Sequence, residues 1–237
     1  MNLELHSHSK FSFDSFLDPI MMIKRAKQIG LDGIAITDHN TIKGGVAAQK
    51  NNYCEEFAVI IGSEIQTEAG DIIGLFLNEE IISRNSLEVV DQIHDQDGIA
   101  VLPHPFRGHN LSADLIKRID LIEIFNARST LETNEMAKEL AMSSGKKIIV
   151  GSDAHFLSEI GSAKSTIFSN NNPRKDLLNG CSKIETGLSP IYLQSLSQTI
   201  KAIREKHYRN IPISLLRAII QFSLRNMVDR RYNIKLQ

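Results

Sequence analysis

The stretch Gly33-Ile-Ala-Ile-Thr-Asp-His-Asn40 places a continuous apolar run directly before an aspartate and a histidine. A run without polar alternation predicts a strand that is buried on both faces, as in a parallel sheet covered by helices. Shorter apolar runs recur along the chain, separated by longer amphipathic stretches, and this alternation predicts an α/β fold. The predicted strands are residues 3–6, 33–37, 58–64, 71–77, 99–102, 121–125 and 147–151.

Five amphipathic stretches between and after these strands predict helices. Asp18 followed by Pro19 predicts a helix start, while Gly30 and Gly145 stand where helices are expected to stop. The Asn-rich stretch at 169–173 is a weak candidate for a domain boundary. The predicted helices are residues 19–29, 42–53, 86–96, 131–144 and 190–206.

Histidines and carboxylates cluster where the predicted strands end. The carboxyl ends of the strands in a parallel barrel meet at one rim, so these side chains are expected to share a pocket. Imidazoles and carboxylates without cysteine are typical ligands of Zn, Mn or Fe, and the sequence therefore predicts a polynuclear metal centre. The strand-end residues are His6, His8, Asp38, His39, Glu64, His104, Asp153 and His155.

Two of these positions have a spacing suited to metal binding. Residues i and i+2 of an extended segment point to the same side, so His6 and His8 can offer two nitrogens to one ion. Asp153 and His155 have the same spacing on another strand. Two such pairs on separate strands predict more than one ion.

The composition excludes several classes of protein. The 237 residues carry 27 Lys+Arg and 28 Asp+Glu, a formal net charge of −1, which disfavours a globally basic nucleic-acid binder. Residues 201–237 hold nine Lys/Arg against two Asp/Glu, so the first 200 residues are acidic on balance. Only Cys54 and Cys181 occur, and no signal peptide or membrane-length apolar run is evident, so we expect a cytoplasmic protein.

Taken together, the motifs resemble those of the PHP family, the polymerase and histidinol phosphatase domain of metal-dependent phosphoesterases. The resemblance covers residues 3 to about 168, in the family's order. It implies a distorted (β/α)7 TIM-like barrel with two or three divalent ions at the carboxyl-terminal rim. The matching segments are His6-Ser-His-Ser, Asp14, Ile36-Thr-Asp-His-Asn, Gly62-Ser-Glu, Leu102-Pro-His-Pro, Ile122-Glu-Ile-Phe-Asn and Gly151-Ser-Asp-Ala-His.

The resemblance also implies which residues bind each ion. Asp71 stands where the family usually has histidine, which bears on the occupancy and metal preference of one site. The carboxylate-rich set favours Mn or Fe over Zn. The implied ligands are His6, His8, Glu64 and Asp153 for one ion, Asp14, His39 and His155 for a second, and His104 and Asp71 for a third that shares Glu64.

A metal centre of this kind predicts phosphoester hydrolysis by a metal-bridging hydroxide, without a covalent intermediate. Arg107 and Arg128 follow strand ends and are candidates for binding the phosphate; the alternative is that each pairs with a nearby carboxylate. Asp38, His109 and a metal-bound water are candidate proton donors to the leaving group. Asp38 is also a candidate for orienting a ligand histidine, which we favour.

Three functions remain open at this point. We expect hydrolysis of a small phosphomonoester, either a metabolite or a nucleotide, because no nucleic-acid-binding module accompanies the barrel. A nuclease or phosphodiesterase is the first alternative, although the acidic first 200 residues disfavour a stable nucleic-acid complex. A non-catalytic metal-binding module is the second alternative, and the nearly complete ligand set disfavours it.

The last part of the chain predicts a separate element. We expect a barrel at 1–190 and a basic helical extension at 191–237, packed on or beside the barrel. Within 212–230, Leu216, Ile220, Leu224 and Met227 follow helical spacing along one face. That face is expected to pack against the barrel or a second subunit, with a weak membrane-surface contact as the alternative.

Overall fold

The computed structural model describes residues 1–168 and 172–234, with side chains up to residue 225. Over these residues, strands and helices alternate for most of the chain. The strands are β1 (Asn2–Glu4), β2 (Gly33–His39), β3 (Ala58–Thr67), β4 (Gly70–Leu75), β5 (Ile99–Leu102), β6 (Leu121–Asn126), β7 (Lys147–Gly151), β8 (Ala163–Thr166) and β9 (Lys183–Thr186). The helices are α1 (Pro19–Gln28), α2 (Lys43–Lys50), α3 (Ser86–His94), α4 (Ala113–Arg118), α5 (Leu131–Ser144), α6 (Pro173–Asn179), α7 (Ile191–Arg204) and α8 (Ile211–Ile234).

The strands form a nearly closed barrel, which confirms the predicted fold class. Within the described part of the chain, one sheet has the order β7-β6-β5-β4-β3-β2-β1-β8-β9. All seven predicted strands are present. Strands β8 and β9 were not predicted; they are short and pair antiparallel beside β1.

The barrel closes between the segments that follow β1 and β7. Ser7 and Ala154 form a parallel bridge there, and the His8 amide donates to the Ala154 carbonyl at 2.8 Å. Strand β8 also helps to close the barrel. It pairs with β1, and its Ser165 Oγ accepts from the Val150 amide of β7 at 3.1 Å. The closure of the barrel thus places His6 and His8 beside the segment that follows β7.

Strand β4 runs antiparallel to both of its neighbours, β3 and β5, whereas β1–β3 and β5–β7 pair in parallel. The start of β4 therefore lies at the rim where the parallel strands end. Its register pairs Asp71 with Gln66, two positions beyond Glu64. The reversal places Asp71 beside the other predicted ligands, whereas a wholly parallel barrel would put it at the opposite rim.

Alternate residues of the strands face either the barrel interior or the layers under the helices, and the core forms three clusters. Ala35 points into a cluster that holds Leu3, Ile73 and Val101 from other strands, which is the barrel interior. Ile34 and Ile36 on either side of Ala35 belong instead to a cluster that packs under α1 and α2. This alternation explains why β2 is an unbroken apolar run: both of its faces are buried.

Helix boundaries follow the predicted start and stop signals. Asp18 accepts a hydrogen bond from the Ile20 amide at 3.0 Å and caps α1, and Gly145 ends α5 with a φ of 66°. Helices α4 and α6, of six and seven residues, were not predicted. The boundary expected at 169–173 lies mostly outside the described residues.

The C-terminal helices form a hairpin in which α8 packs on α7 through polar and aromatic side chains. Ser214 bonds to Thr199, Gln221 accepts from Ser195, and the rings of Tyr192 and Phe222 meet edge to face. Leu216, Ile220 and Leu224 are 58%, 49% and 57% exposed, so this stripe does not pack on the barrel as expected.

The side chain of Met227 lies outside the described ones. A contact of this face with a second copy or a membrane surface stays a prediction, as does the domain division at residue 190. None of the described helices combines the length and apolarity needed to cross a membrane.

Candidate metal centre

All nine residues that the resemblance implied as ligands meet at one rim of the barrel. They fall into four overlapping groups, and the donor atoms within each group lie within 4.8 Å of one another. Such groups of imidazoles and carboxylates could hold divalent ions. The groups are His6, His8 and Glu64; His6, His104 and Asp153; Glu64, Asp71 and His104; and His8, Asp14, His39 and His155.

Glu64, near the middle of β3, occupies the centre of the cluster. Its Oε2 lies 3.4 Å from His6 Nε2, 3.3 Å from His8 Nε2 and 3.3 Å from His39 Nδ1. Its Oε1 lies 2.9 Å from His104 Nε2. A carboxylate with each oxygen facing different imidazoles is placed to bridge two ions.

Asp14 joins the cluster from the loop between β1 and α1. Its Oδ2 lies 3.0 Å from His155 Nε2 and 3.4 Å from His39 Nε2. From the segment after β7, on the other side of the bridge that closes the barrel, Asp153 Oδ1 lies 3.3 Å from His8 Nε2. Residues that follow β1, β2 and β7 thus contribute to the same site: β1 and β2 are adjacent in the sheet, and the bridge of Ser7 and Ala154 brings the segment after β7 beside them.

Asp71 is the candidate carboxylate ligand that ionises least readily. Burial and the negative charge of Glu64 raise its pKa to about 6. A carboxyl that keeps its proton up to that pH is a poorer ligand in mildly acidic solution. His109, expected as a candidate acid, lies next to this residue, with Nε2 2.9 Å from the Asp71 carbonyl oxygen.

The ring nitrogens of the cluster show how well these residues fit a cation. His6 Nε2, His8 Nε2 and His39 Nδ1 are buried and have no hydrogen-bond partner among the described residues. The opposite nitrogens of His6 and His8 are held, by Glu123 at 2.9 Å and by Ser12 Oγ at 3.1 Å. One fixed and one free nitrogen per ring is the usual arrangement of a metal-binding histidine.

The metal-free cluster balances its charges with protons. Burial lowers the pKa of His8, but Asp153 and Glu64 outweigh that effect and raise it to about 10. Burial likewise opposes ionisation of Glu64, yet the charges of His6 and His39 hold its pKa well below the usual range. Divalent ions would take the place of these protons.

Glu123 is a supporting residue to which the sequence analysis assigned no role. Its Oε1 contacts His6 Nδ1, while its Oε2 accepts from the His104 amide at 2.9 Å and from Asn126 Nδ2 at 3.0 Å. It is fully buried on the apolar strand β6. A single carboxylate inside the run Leu121-Ile-Glu-Ile was the available signal, because a buried charge needs partners.

Asp38 lies behind the metal groups. Its Oδ1 accepts from the Ser9 amide at 2.6 Å and from Ser12 Oγ at 3.0 Å, and its Oδ2 accepts from Ser9 Oγ at 2.7 Å. Ser12 in turn meets His8 Nδ1. This chain of contacts orients His8, so the geometry favours the positioning role over proton donation to a leaving group.

Both predicted arginines line a cavity of about 260 Å³ that also borders Asp14, His39, Asp153 and His155. Arg107 is 42% exposed, and its NH2 donates to Asp153 Oδ2 at 2.7 Å. Burial opposes the charge of Arg107, but Asp153 raises its pKa. This pairing leaves Asp153 Oδ1 facing the histidines.

Arg128 is buried and binds Glu159 with two hydrogen bonds, from Nε to Oε1 at 2.9 Å and from NH2 to Oε2 at 2.8 Å. Its NH1 donates to Ser197 Oγ at 2.9 Å. Glu159 Oε2 also accepts from the His155 amide at 2.9 Å. Arg128 therefore anchors the segment that carries His155, and its expected contact with phosphate stays a prediction.

Comparison with known proteins places this geometry in a family. The family model described as PHP domain matches residues 4–232. The chain belongs to the PHP domain family. This PHP protein is 39% identical over 160 residues to the uncharacterized protein MJ1587 of Methanocaldococcus jannaschii, covering 59% of this chain and 94% of that one. It is 34% identical over 175 residues to MJ0417 of the same organism, covering 69% of each.

The fold has solved counterparts. A two-domain protein of Bacteroides vulgatus, described as containing a predicted PHP-like metal-dependent phosphoesterase, matches with a TM-score of 0.66 at 18% identity. The match covers 79% of this chain and 65% of the other. At that identity the likeness shows the shared TIM-like barrel fold, in which this PHP protein carries its nine candidate ligands.

Proposed function

We propose that this PHP protein hydrolyses a small phosphomonoester, a metabolite or a nucleotide, with two or three divalent ions (Mn, Fe or Zn) held at the rim. The observation that carries the proposal is the convergence of nine donor side chains at one rim of the barrel, four of which line a single cavity. Buried nitrogens without partners face that centre, which is the arrangement that a cation completes.

Divalent ions in these groups would act as Lewis acids that activate water and offset the charge on the phosphoryl oxygens. The chain's own residues fix the geometry. Glu123 and Ser12 hold the rings of His6 and His8, and Arg107 holds Asp153. Phe13, stacked on His39 with ring centroids 4.4 Å apart, shields that side of the cluster from water.

The size of the cavity and the charge balance of the chain both support a small substrate. A volume of about 260 Å³ is close to the lower end of ordinary small-ligand sites. The first 200 residues carry more acidic than basic side chains, whereas a nucleic-acid groove beside the rim would need a run of cations. Cleavage of nucleic-acid ends is the alternative that the experiment below distinguishes.

The test is phosphate release from a panel of phosphomonoesters, nucleotides and short oligonucleotides by Mn-loaded protein. We expect turnover of small monoesters by the wild type and a loss to near background in His8→Ala, which lacks one central ligand. His94→Ala, which removes a histidine paired with Asp120 outside the cluster, is the matched control.

Two outcomes would contradict the proposal. Cleavage of oligonucleotides alone would favour the nuclease alternative. Absence of any release from protein with verified metal content would favour a non-catalytic metal-binding module.

A further inference from the structure

Helix α7 forms one wall of the cavity above the metal groups. Gln194, Ser197, Gln198 and Lys201 line the cavity together with the candidate ligands. These positions follow the spacing of neighbours on a single helix face. The predicted extension therefore reaches the site that the barrel builds, and it brings a cation there.

Among the cations that line the cavity, Lys201 differs from the two arginines. Arg107 is paired with Asp153, and Arg128 with Glu159. Within the described part of the chain, no carboxylate lies at ion-pair distance from the Lys201 ammonium. Two of the three positive charges are thus already offset by the protein, while that of Lys201 is available to an incoming anion.

An aromatic contact positions the Lys201 ammonium, and a neighbouring arginine ties α7 to the same loop. Its Nζ lies 4.5 Å from the centroid of the Phe13 ring, the ring that stacks on His39. One turn further along α7 is Arg204, whose NH1 donates to the carbonyl oxygens of Lys10 at 2.8 Å and Ser12 at 3.0 Å. The loop that carries Phe13 is tied to α7, so the ammonium is held beside the metal rim.

We infer that Lys201 binds an anionic oxygen of the substrate at the mouth of the metal cavity, so that the C-terminal hairpin takes part in substrate recognition. The inference rests on the proposed function, which supplies the phosphoester. An ammonium binds a phosphate oxygen as a compact charge with three donors and needs no fixed fork geometry. This suits a position at the cavity mouth, because the metal groups deeper in the cavity set the orientation of the phosphate.

The experiment compares three variants of the Mn-loaded protein. Lys201→Met removes the charge, Lys201→Arg keeps it, and Lys50→Met makes the same charge change at an exposed position on α2. With the best monoester of the panel, we expect Lys201→Met to raise KM about tenfold with kcat nearly unchanged, the sign of lost uniform binding. Lys201→Arg and Lys50→Met should stay close to the wild type.

Binding of inorganic phosphate, measured by calorimetry, provides a readout that does not depend on turnover. We expect its Kd to rise about tenfold in Lys201→Met and to stay unchanged in Lys50→Met. Equal phosphate affinity in these two variants would overturn the inference, as would a loss of bound metal in Lys201→Met. Absence of turnover in the wild type would overturn the proposed function instead, so the two failures are distinguishable.

Discussion

Arg128 and Glu159 form a buried ion pair with two parallel hydrogen bonds, and Glu159 also holds the amides of His155 and Phe156. The pair links the end of β6 to the segment after β7, and Ser197 extends it to α7. Two desolvated charges thus stabilise the geometry of one metal ligand and the position of the cavity wall.

Arg128→Met should destabilise the protein by about 3–5 kcal/mol, because it leaves the Glu159 charge buried without its partner. Urea denaturation followed by circular dichroism gives the value. Arg118→Met removes an exposed pair with Asp91 and should cost about 1 kcal/mol or less. Equal effects of the two substitutions would show that burial of the Arg128 pair has no energetic consequence.

Gly44→Ala should disturb the site from behind. Gly44 lies in α2, and a Cβ at this position would clash with Asp38 Oδ2 and Ser9 Oγ. We expect a loss of stability of about 1–3 kcal/mol and weaker metal binding, since Asp38 orients His8 through Ser12.

A double-mutant cycle with Asp38→Ala checks the cause of the Gly44→Ala effect. The added methyl should cost less when the Asp38 carboxylate is absent, because one of the two close contacts is relieved. Strict additivity of the two free energies of unfolding would contradict the proposed contact.

Asp71→Asn should lower the number of bound ions by one and leave the other groups filled. Asp71 belongs only to the group with Glu64 and His104, and it stands where the family usually has histidine. Metal content per chain, measured by mass spectrometry after dialysis at about pH 7.5, tests this expectation. Gln66→Ala, at the paired position on β3, is the control.

The pKa of Asp71 is about 6, so protons compete for this carboxylate below that value, and the wild type should hold less of that ion at about pH 5.5 than at about pH 7.5. A metal content that is the same in Asp71→Asn and the wild type at both pH values would show that the third group binds no ion.

The effect of metal on thermal stability should increase with pH. In the metal-free protein the pKa of His8 is about 10, above its ordinary value of 6.5, so the folded chain binds more protons than the unfolded chain between these values. The contribution of His8 to stability is complete below pH 6.5 and is lost as the pH rises towards 10. Metal binding needs the deprotonated ring and strengthens over the same range.

We therefore expect the increase in Tm caused by Mn to be larger at about pH 8.5 than at about pH 6.5. Differential scanning calorimetry of metal-free and Mn-loaded samples measures it. His8→Gln, which cannot titrate in this range, should show a flatter dependence, and an equal increase at both pH values in the wild type would contradict the linkage.

Seven of the nine candidate ligands could be found from the sequence because each stands near the carboxyl end of a predicted strand, where the type of residue decides the chemistry. Asp14 and Asp71 were implied only by the resemblance to the family. The direction of β4 could not be found in the same way, because an apolar run has no direction. Only Glu68 and Ala69 separate β3 from β4, and a connection that short permits only an antiparallel pair. The predicted end of the third strand at residue 64 concealed that short connection.

The contribution of Lys201 lay beyond sequence reasoning for a different reason. Its role depends on which carboxylates pair with Arg107 and Arg128, and on the packing of α7 over the barrel. Neither follows from local pattern, because Glu159 and Ser197 lie far along the chain from Arg128. The same applies to the exposed stripe of α8, whose spacing predicts a helix but not the face that is covered.

The groups of candidate metal ligands extend across the seam, which is the closure of the barrel between the segments that follow β1 and β7. His6 and His8 lie on one side of the seam, and Asp153 and His155 on the other, while the backbone there is joined by the bridge of Ser7 and Ala154. Ions bound across it would join distant parts of the folded chain and add their binding free energy to its stability. Chelation would then weaken the closure and expose the edge of β7, and unpaired strand edges are surfaces through which proteins aggregate.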